Sequence, residues 1–414
     1  MVDLEEIRTA EAKYHLFADL DADAVQAELS APTVAGPLSG RLVGLKANVA
    51  CREAVWSAGL GHRAALRADA DAHVTRQLRA AGARVLPGLN MDAAALGGTT
   101  ENPHFGATLN PRALECSAGG SSGGSAAAIA AGIVDISIGT DTLGSIRIPA
   151  SWCGVYGLKP TFGAIGRSGI VPLAESFDCV GPLTARAEDL LVALQAMAGP
   201  DPQDQDANTA ADGWLECADV ANINGVRIGV KTDDPVDCAP EVAAALNRAV
   251  NILRLAGATI VPVSMPGWHP AALRKAAFLL TECEGAAVYA EELADADVLP
   301  PMVQSLLSYG RDSGTAKLVA ALTEIRAAKA QLARTFSEVD VLITPTTPGR
   351  AIRLGDVAPA NQADYTALAN VAGTPALAVP VSVPNDPLPA SVQLMGPAWS
   401  EGMLINLAQA LGKT

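Results

Sequence analysis

Residues 119–182 constrain this chain most: the stretch opens GGSSGGSAAAIAAG and continues through GTDTLGSIRIPASWCGVYGLKPT. Glycine reaches positive φ and tolerates close approach where a side chain would clash, so serines set in such backbone lie among exposed amides and hydroxyls. Gly119, Gly120, Gly123, Gly124, Gly139 and Gly144 supply that freedom. The segment reads as an anion or oxyanion site, with an Ala-rich helix over Ser125 to Ala131 following the first serines.

Around it, apolar runs that read as buried strands alternate with helix-period segments, the rhythm of an α/β protein built on a central sheet. Arg41 to Val49 and Arg84 to Leu89 read as strands flanking a helix over Asp71 to Ala81. Val226 to Val230, a helix over Pro240 to Ala256, and Thr259 to Val263 repeat the pattern, and Val339 to Thr344 and Ala376 to Val383 read as further core strands. The acidic segment Gly199 to Gly213 is expected to be an exposed loop, because its charges would lack compensation inside. With 414 residues, 50 % of them apolar, one large domain spanning residues 1–414 is expected.

A formal net charge of −15 argues against nonspecific contact with nucleic acid or anionic membrane, both of which need basic patches. MVDLEEIRTAEAKYHL lacks the layout of a secretory signal, and Ala126 to Ile138 is too short and too interrupted for a membrane span, so a cytoplasmic protein is expected. The seven cysteines, Cys51, Cys116, Cys153, Cys179, Cys217, Cys238 and Cys283, form no C-x-x-C pair and read as thiols in a reducing compartment. The five histidines show neither metal-ligand spacing nor a nucleophile beside them, so no metal is expected.

The GGSSGGS segment followed by GTDTLGSIRIPASWCG resembles the signature of the amidase signature hydrolases. GARVLPGLNMD, DVLITPTTP, NVAGTPALAVP and LPASVQLMGP extend the resemblance from about Phe17 to the C-terminus, with a signature core over about residues 40–185. The resemblance implies a single α/β domain whose mixed central β-sheet is flanked by α-helices on both faces. It also implies a Ser-Ser-Lys triad: Ser145 in LGSIR as nucleophile, Ser121 in GGSS, after a cis peptide bond, as proton relay, and Lys46 in GLKAN as base. No cofactor is called for. Members of the family commonly begin with a further helical segment, whereas the likeness here starts near KYHLFADLD.

A serine hydroxyl is a weak nucleophile until a base takes its proton, and a lysine can do so only when neutral, so Lys46 needs burial to lower its pKa. The flanking LVGL supplies apolar surroundings. Read singly, Lys46 would pass for a surface lysine, Ser121 for a loop residue or helix cap, and Ser145 for the cap of IRIPA; together they read as a site. The backbone amides of Thr142, Leu143, Gly144 and Ser145 are expected to stabilise a developing oxyanion, and Asp141 and Arg147 to brace the loop.

Leu143 stands where the family usually has glycine, and is expected to line the pocket floor. Ala47 stands where an aspartate often follows the lysine. Met91, Asp92, Gln304, Tyr309 and Thr374 are the residues expected to touch substrate, and the low aromatic content, 4 %, argues against an aromatic-lined pocket. The expected activity is hydrolysis of the C–N bond of a small linear amide or urea-like compound through an acyl-enzyme. Two alternatives stand beside it: an amidotransferase component that takes ammonia from glutamine, and a catalytically silent binding homologue. The sequence is compatible both with a homodimer and with a small partner subunit.

Overall fold

Strands that are apolar without alternation need cover on both faces, since neither face has polar side chains to offer to water. The computed structural model, which describes residues 2–208, 214–215, 223–233, 237–295 and 297–412, meets that need with one ten-stranded sheet. Its strands are β1 (Leu42–Lys46), β2 (Arg84–Leu89), β3 (Ile136–Asp141), β4 (Tyr156–Lys159), β5 (Cys179–Thr184), β6 (Arg227–Lys231), β7 (Thr259–Val263), β8 (Val341–Pro345), β9 (Ala376–Val381) and β10 (Ala390–Met395). Across the sheet they stand in the order β7-β6-β8-β10-β9-β4-β5-β3-β1-β2. β1 runs parallel to β2 and β3, and β6 parallel to β7 and β8, while the strands between pair antiparallel. The sheet of this single domain is therefore mixed.

Helices cover both faces. Val43 and Leu45 of β1 join a core cluster with Leu78, Leu190, Leu194 and Leu404; Leu42 of the same strand joins another with Leu86, Ala126 and Ile129. That division follows from the two-residue period of a strand. Proline begins the helices Pro240–Leu255, Pro270–Val288 and Pro301–Asp312, where its missing N–H costs no hydrogen bond.

The expected elements appear within a few residues of their observed bounds, with His73–Ala80 and Gly123–Ala130 as the two early helices. β1 is shorter than expected, because after Lys46 the chain turns and the amide of Val49 donates back to the Lys46 carbonyl at 2.9 Å. Helices Leu4–Tyr14 and Ala22–Ser30 precede β1, so helical structure does stand ahead of the sheet.

Of the acidic segment, residues 209–213 lie outside the described residues. Within residues 199–208, Asp201 is buried and accepts hydrogen bonds from the Ser168 amide and hydroxyl, and Arg167 pairs with Asp204 and Asp206. Those partners supply the compensation that the sequence alone did not reveal. No described helix is long and apolar enough to cross a membrane. Cys51, Cys116, Cys153, Cys179, Cys238 and Cys283 are free thiols, and Cys217 lies outside the described residues.

The sheet sets up a site through its parallel edge. Lys46 ends β1, and Thr140 and Asp141 end its parallel neighbour β3. Ligand sites in such sheets lie in crevices beyond the carboxyl ends of the strands. Leu45, fully buried in the core beneath that crevice, gives a test of the packing. Leu45→Ala should cost about 3 kcal/mol of unfolding free energy in chemical denaturation, and a loss under about 1 kcal/mol would mean that the core closes over the gap.

Candidate active site

Lys46 is fully buried, and its Nζ donates to Ser121 Oγ at 2.8 Å and to Thr140 Oγ1 at 2.9 Å. Burial pushes its ammonium from an ordinary 10.5 down to about 7, against the opposing pull of the Asp92, Asp178 and Asp141 carboxylates. Ala47, in place of the expected carboxylate, packs with Ala58, Leu60 and Met91. Those three more distant aspartates provide the negative potential around the lysine instead.

Ser121 follows a cis Gly120–Ser121 peptide bond and stands just before the helix Gly123–Ala130. Only glycine fits at 120, since a Cβ there would lie 2.0 Å from Asp92 Oδ2. Asp92 is itself buried and accepts the Thr100 amide at 3.0 Å on each oxygen. Burial raises its carboxyl to about 6, opposed by the amides of Thr100 and Thr99 and the charge of Lys46. The amide of Ser122 donates to the Ser145 carbonyl at 3.2 Å, tying the serine-rich turn to the loop that follows β3.

That loop is built around an ion pair. Arg147 and Asp141 are both fully buried, with Nη2 to Oδ1 at 2.9 Å and Nε to Oδ2 at 3.0 Å. Each remaining guanidinium N–H also has an acceptor: the Thr366 carbonyl at 2.9 Å, Asn370 Oδ1 at 2.5 Å, and Gln393 Oε1. Burial alone would raise the Asp141 carboxyl, but the charge and hydrogen bonds of Arg147, with Asn370, hold it at about 2. The expected bracing pair is thus in contact, and the carboxylate also accepts the amides of Gly144 at 2.7 Å and Ile146 at 3.1 Å.

Of the four amides expected to face an oxyanion, one is engaged elsewhere. The Gly144 amide is already engaged by Asp141, whereas those of Thr142, Leu143 and Ser145 make no hydrogen bond to a described residue. Gly144, with φ of 134°, is the position where glycine is required, since a Cβ would meet Thr366 Oγ1 at 2.4 Å. Leu143 stays out of the positive-φ region and packs with Ile148 and Trp152, which explains how the loop accepts a leucine there.

Thr142, Leu143 and Ser145 line a cavity of about 790 Å³. Ser145 is 9 % exposed, whereas Lys46 and Ser121 are fully buried. The other walls come from the turn 95–98, the loop 358–363 and the helices Pro270–Val288, Pro301–Asp312 and Thr315–Glu338. Of the five residues expected at substrate, only Tyr309 lines this cavity. Met91 and Asp92 are buried behind the serine turn, Gln304 donates to the Leu293 carbonyl at 3.4 Å, and Thr374 lies outside the lining. Chain position does not identify the lining, because the wall is made by helix faces that sequence proximity does not reveal. Phe278 and Tyr309 are its aromatic residues, in keeping with the low aromatic content.

Sequence reasoning missed Thr140, the second acceptor of Lys46, and Asp178, which accepts from Thr142 Oγ1 at 2.5 Å and from the amides of Leu173 and Ala174. It also missed Asn370 and Gln393, although both lie in the NVAGTPALAVP and LPASVQLMGP segments that carried the resemblance.

Comparison with known proteins places these features in context. The Amidase family model matches residues 4–405. A glutamyl-tRNA(Gln) amidotransferase subunit from Deinococcus radiodurans is 35 % identical, over 95 % of this chain and 88 % of that protein. A 1-carboxybiuret hydrolase subunit from Pseudomonas is 37 % identical, over 96 % of this chain and 89 % of that one. Among solved structures, an inhibitor-bound vestigial protein complex described as revealing the origins of an s-triazine catabolic enzyme superposes with a TM-score of 0.91. It has 33 % identity and covers 99 % of this chain and 93 % of that one.

The buried ion pair generates its own test. Asp141→Asn leaves the Arg147 charge without a counterion and should cost about 3–5 kcal/mol of stability. Because the folded Asp141 carboxyl is held below its ordinary 3.8, its contribution is complete above about pH 4 and is lost as pH falls toward 2. The wild-type protein should therefore show an acid-unfolding step in that window that the variant lacks; identical acid profiles would remove the pair from the account of stability.

Proposed function

The chain belongs to the amidase family, and on that premise we propose that it hydrolyses the C–N bond of a small linear amide or urea-like substrate. One observation carries the reading: a buried lysine, shifted toward neutrality, is hydrogen-bonded at 2.8 Å to the Ser121 hydroxyl, in the turn whose next amide holds the carbonyl of Ser145, a serine that lines a large cavity. The urea-like element is favoured by the likeness to a 1-carboxybiuret hydrolase subunit.

Ser145 Oγ attacks the substrate carbonyl while its proton passes through Ser121 to Lys46 Nζ. The free amides of Thr142, Leu143 and Ser145 take the oxyanion, a donor set that needs no reorganisation as charge develops. Collapse of the tetrahedral intermediate expels the amine, which receives the proton from Lys46 by way of Ser121. Water then attacks the acyl-enzyme by the same proton path in reverse, releasing the acid and restoring Ser145. No step calls for a cofactor.

A second reading, an amidotransferase component that liberates ammonia from glutamine for a partner, is favoured by the likeness to the glutamyl-tRNA(Gln) amidotransferase protein. Ammonia release from a panel of small amides and ureas decides between them. Wild type should release ammonia, and Ser145→Ala should lose essentially all of it. Activity on glutamine alone, and only with added partner subunits, would transfer the weight to the second reading.

Because Lys46 works as the neutral base with a pKa near 7, kcat/KM should rise with pH up to about 7 and level off above it. Lys46→Ala should abolish turnover and this rise; near-normal turnover in that variant would exclude the lysine as base. Leu143→Gly opens the cavity beside Ser145 and should favour bulkier acyl groups over acetamide. An unchanged ratio would place the leucine beyond the substrate's reach.

A further inference from the structure

The cavity that Ser145 lines also carries polar side chains that the acyl-transfer steps do not use. Glu282, on the helix Pro270–Val288, lines it and is only 6 % exposed, yet its carboxyl forms no ion pair and no hydrogen bond with any described residue. Next to it in the chain, Thr281 also lines the cavity, with its Oγ1 buried and without a partner. On the adjoining helix Thr315–Glu338, Glu324 faces the same space with its Oε1 buried and unpartnered. A threonine on a helix ordinarily returns its hydroxyl to a backbone carbonyl, and a buried carboxylate ordinarily has a donor. Here three acceptors converge on one cavity with nothing to accept from.

Arg274, Lys275 and Lys317 line the same cavity, but none of them forms an ion pair or hydrogen bond with Glu282 or Glu324. Arg274 pairs with Asp364 at 2.6 Å. Lys317 donates to the Tyr309 hydroxyl at 2.7 Å and lies over that ring at 4.5 Å, and both Lys317 and Lys275 are exposed. Burial lifts the Glu282 carboxyl to about 7, opposed only by the more distant charge of Lys317. A donor entering the cavity would relieve that penalty, because a hydrogen bond to a charged group is worth more than one between neutral partners.

We propose that Glu282, with Glu324 and Thr281, forms a specificity pocket for the end of the substrate remote from the scissile bond, accepting the N–H bonds of an ammonium or ureido group there. The substrate class so assigned is a linear amide with an N–H-rich distal terminus, reaching from Ser145 to Glu282 within the cavity that both line. This assignment rests on the hydrolase reading for the Ser145 end only. The apolar side chains that share the lining, among them Ile148, Ala276 and Leu279, suit a short methylene or similarly unbranched spacer.

Binding to the Ser145→Ala protein tests the pocket without requiring turnover. Calorimetry would compare 6-aminohexanamide and 6-ureidohexanamide with hexanamide and with the monoamide of adipic acid. At least one of the two N–H-terminated ligands should bind about tenfold or more tightly than hexanamide, equivalent to about 1.4 kcal/mol, and the carboxylate-terminated ligand should bind least. Adding Glu282→Gln should erase the preference for an ammonium terminus, and Glu324→Gln, on a half-buried position, should reduce it with the melting temperature unchanged.

Equal binding of all four ligands, no detectable binding, a preference for the carboxylate, or a ratio intact in both glutamine variants would overturn the proposal. Wild-type turnover of the same amides is read separately. A Glu282-dependent binding ratio with no ammonia release would sink the hydrolase reading and leave the pocket standing, whereas ammonia release without the ratio would do the reverse.

Discussion

The buried pair between Asp141 and Arg147 is the interaction on which the rest of the site depends. Two charges removed from water are tolerated only when each is paired and the remaining hydrogen-bonding capacity is filled. Here that filling recruits the end of β3, the helix Arg147–Cys153, the helix Ala367–Ala372 and β10 into one network. The spare lone pairs of the carboxylate then take two amides of the loop between Asp141 and Arg147. Engaging Gly144 and Ile146 leaves Thr142, Leu143 and Ser145 free, so the same charge that fixes the loop also selects which amides can face a ligand.

A second constraint works against stability. Burying Lys46 disfavours its charged form, and between about pH 7 and the ordinary 10.5 the unfolded chain holds a proton that the folded one does not. The two hydroxyl acceptors at its Nζ offset part of that cost. Three aspartates at greater range keep the group from losing its proton altogether. Depressed but not extinguished basicity is what a proton shuttle at neutral pH requires.

The cavity divides the labour differently. Its floor is made by the turn and loop of the signature segment, and its walls by three helices from the second half of the chain. The floor offers backbone donors, and the walls are largely apolar with Glu282, Glu324, Arg274, Lys275 and Lys317 among them. On the proposed function, chemistry and selection fall to parts of the molecule far apart in sequence, so one could change without disturbing the other.

Much of this was legible in the sequence. Apolar runs such as 376–379 read as strands covered on both faces, although the run 259–263 became a partly exposed edge strand, and the serine-glycine turn reads as a site of close backbone approach, because local sterics favour both. Lys46, Ser121 and Ser145 stood out through the family resemblance, each in a motif of a few residues, since read singly none of them marks a site. Tertiary structure alone decided which amides stayed free, since that follows from the route of the Asp141 carboxylate. It also decided that Thr140 and Asp178 stand by the lysine and the loop. Met91 and Asp92 sit behind the turn rather than in the cavity, and Glu282 and Glu324 face one space. Such contacts join residues tens to hundreds of positions apart, and they exist only once the sheet has brought the carboxyl ends of its strands and the faces of the later helices together.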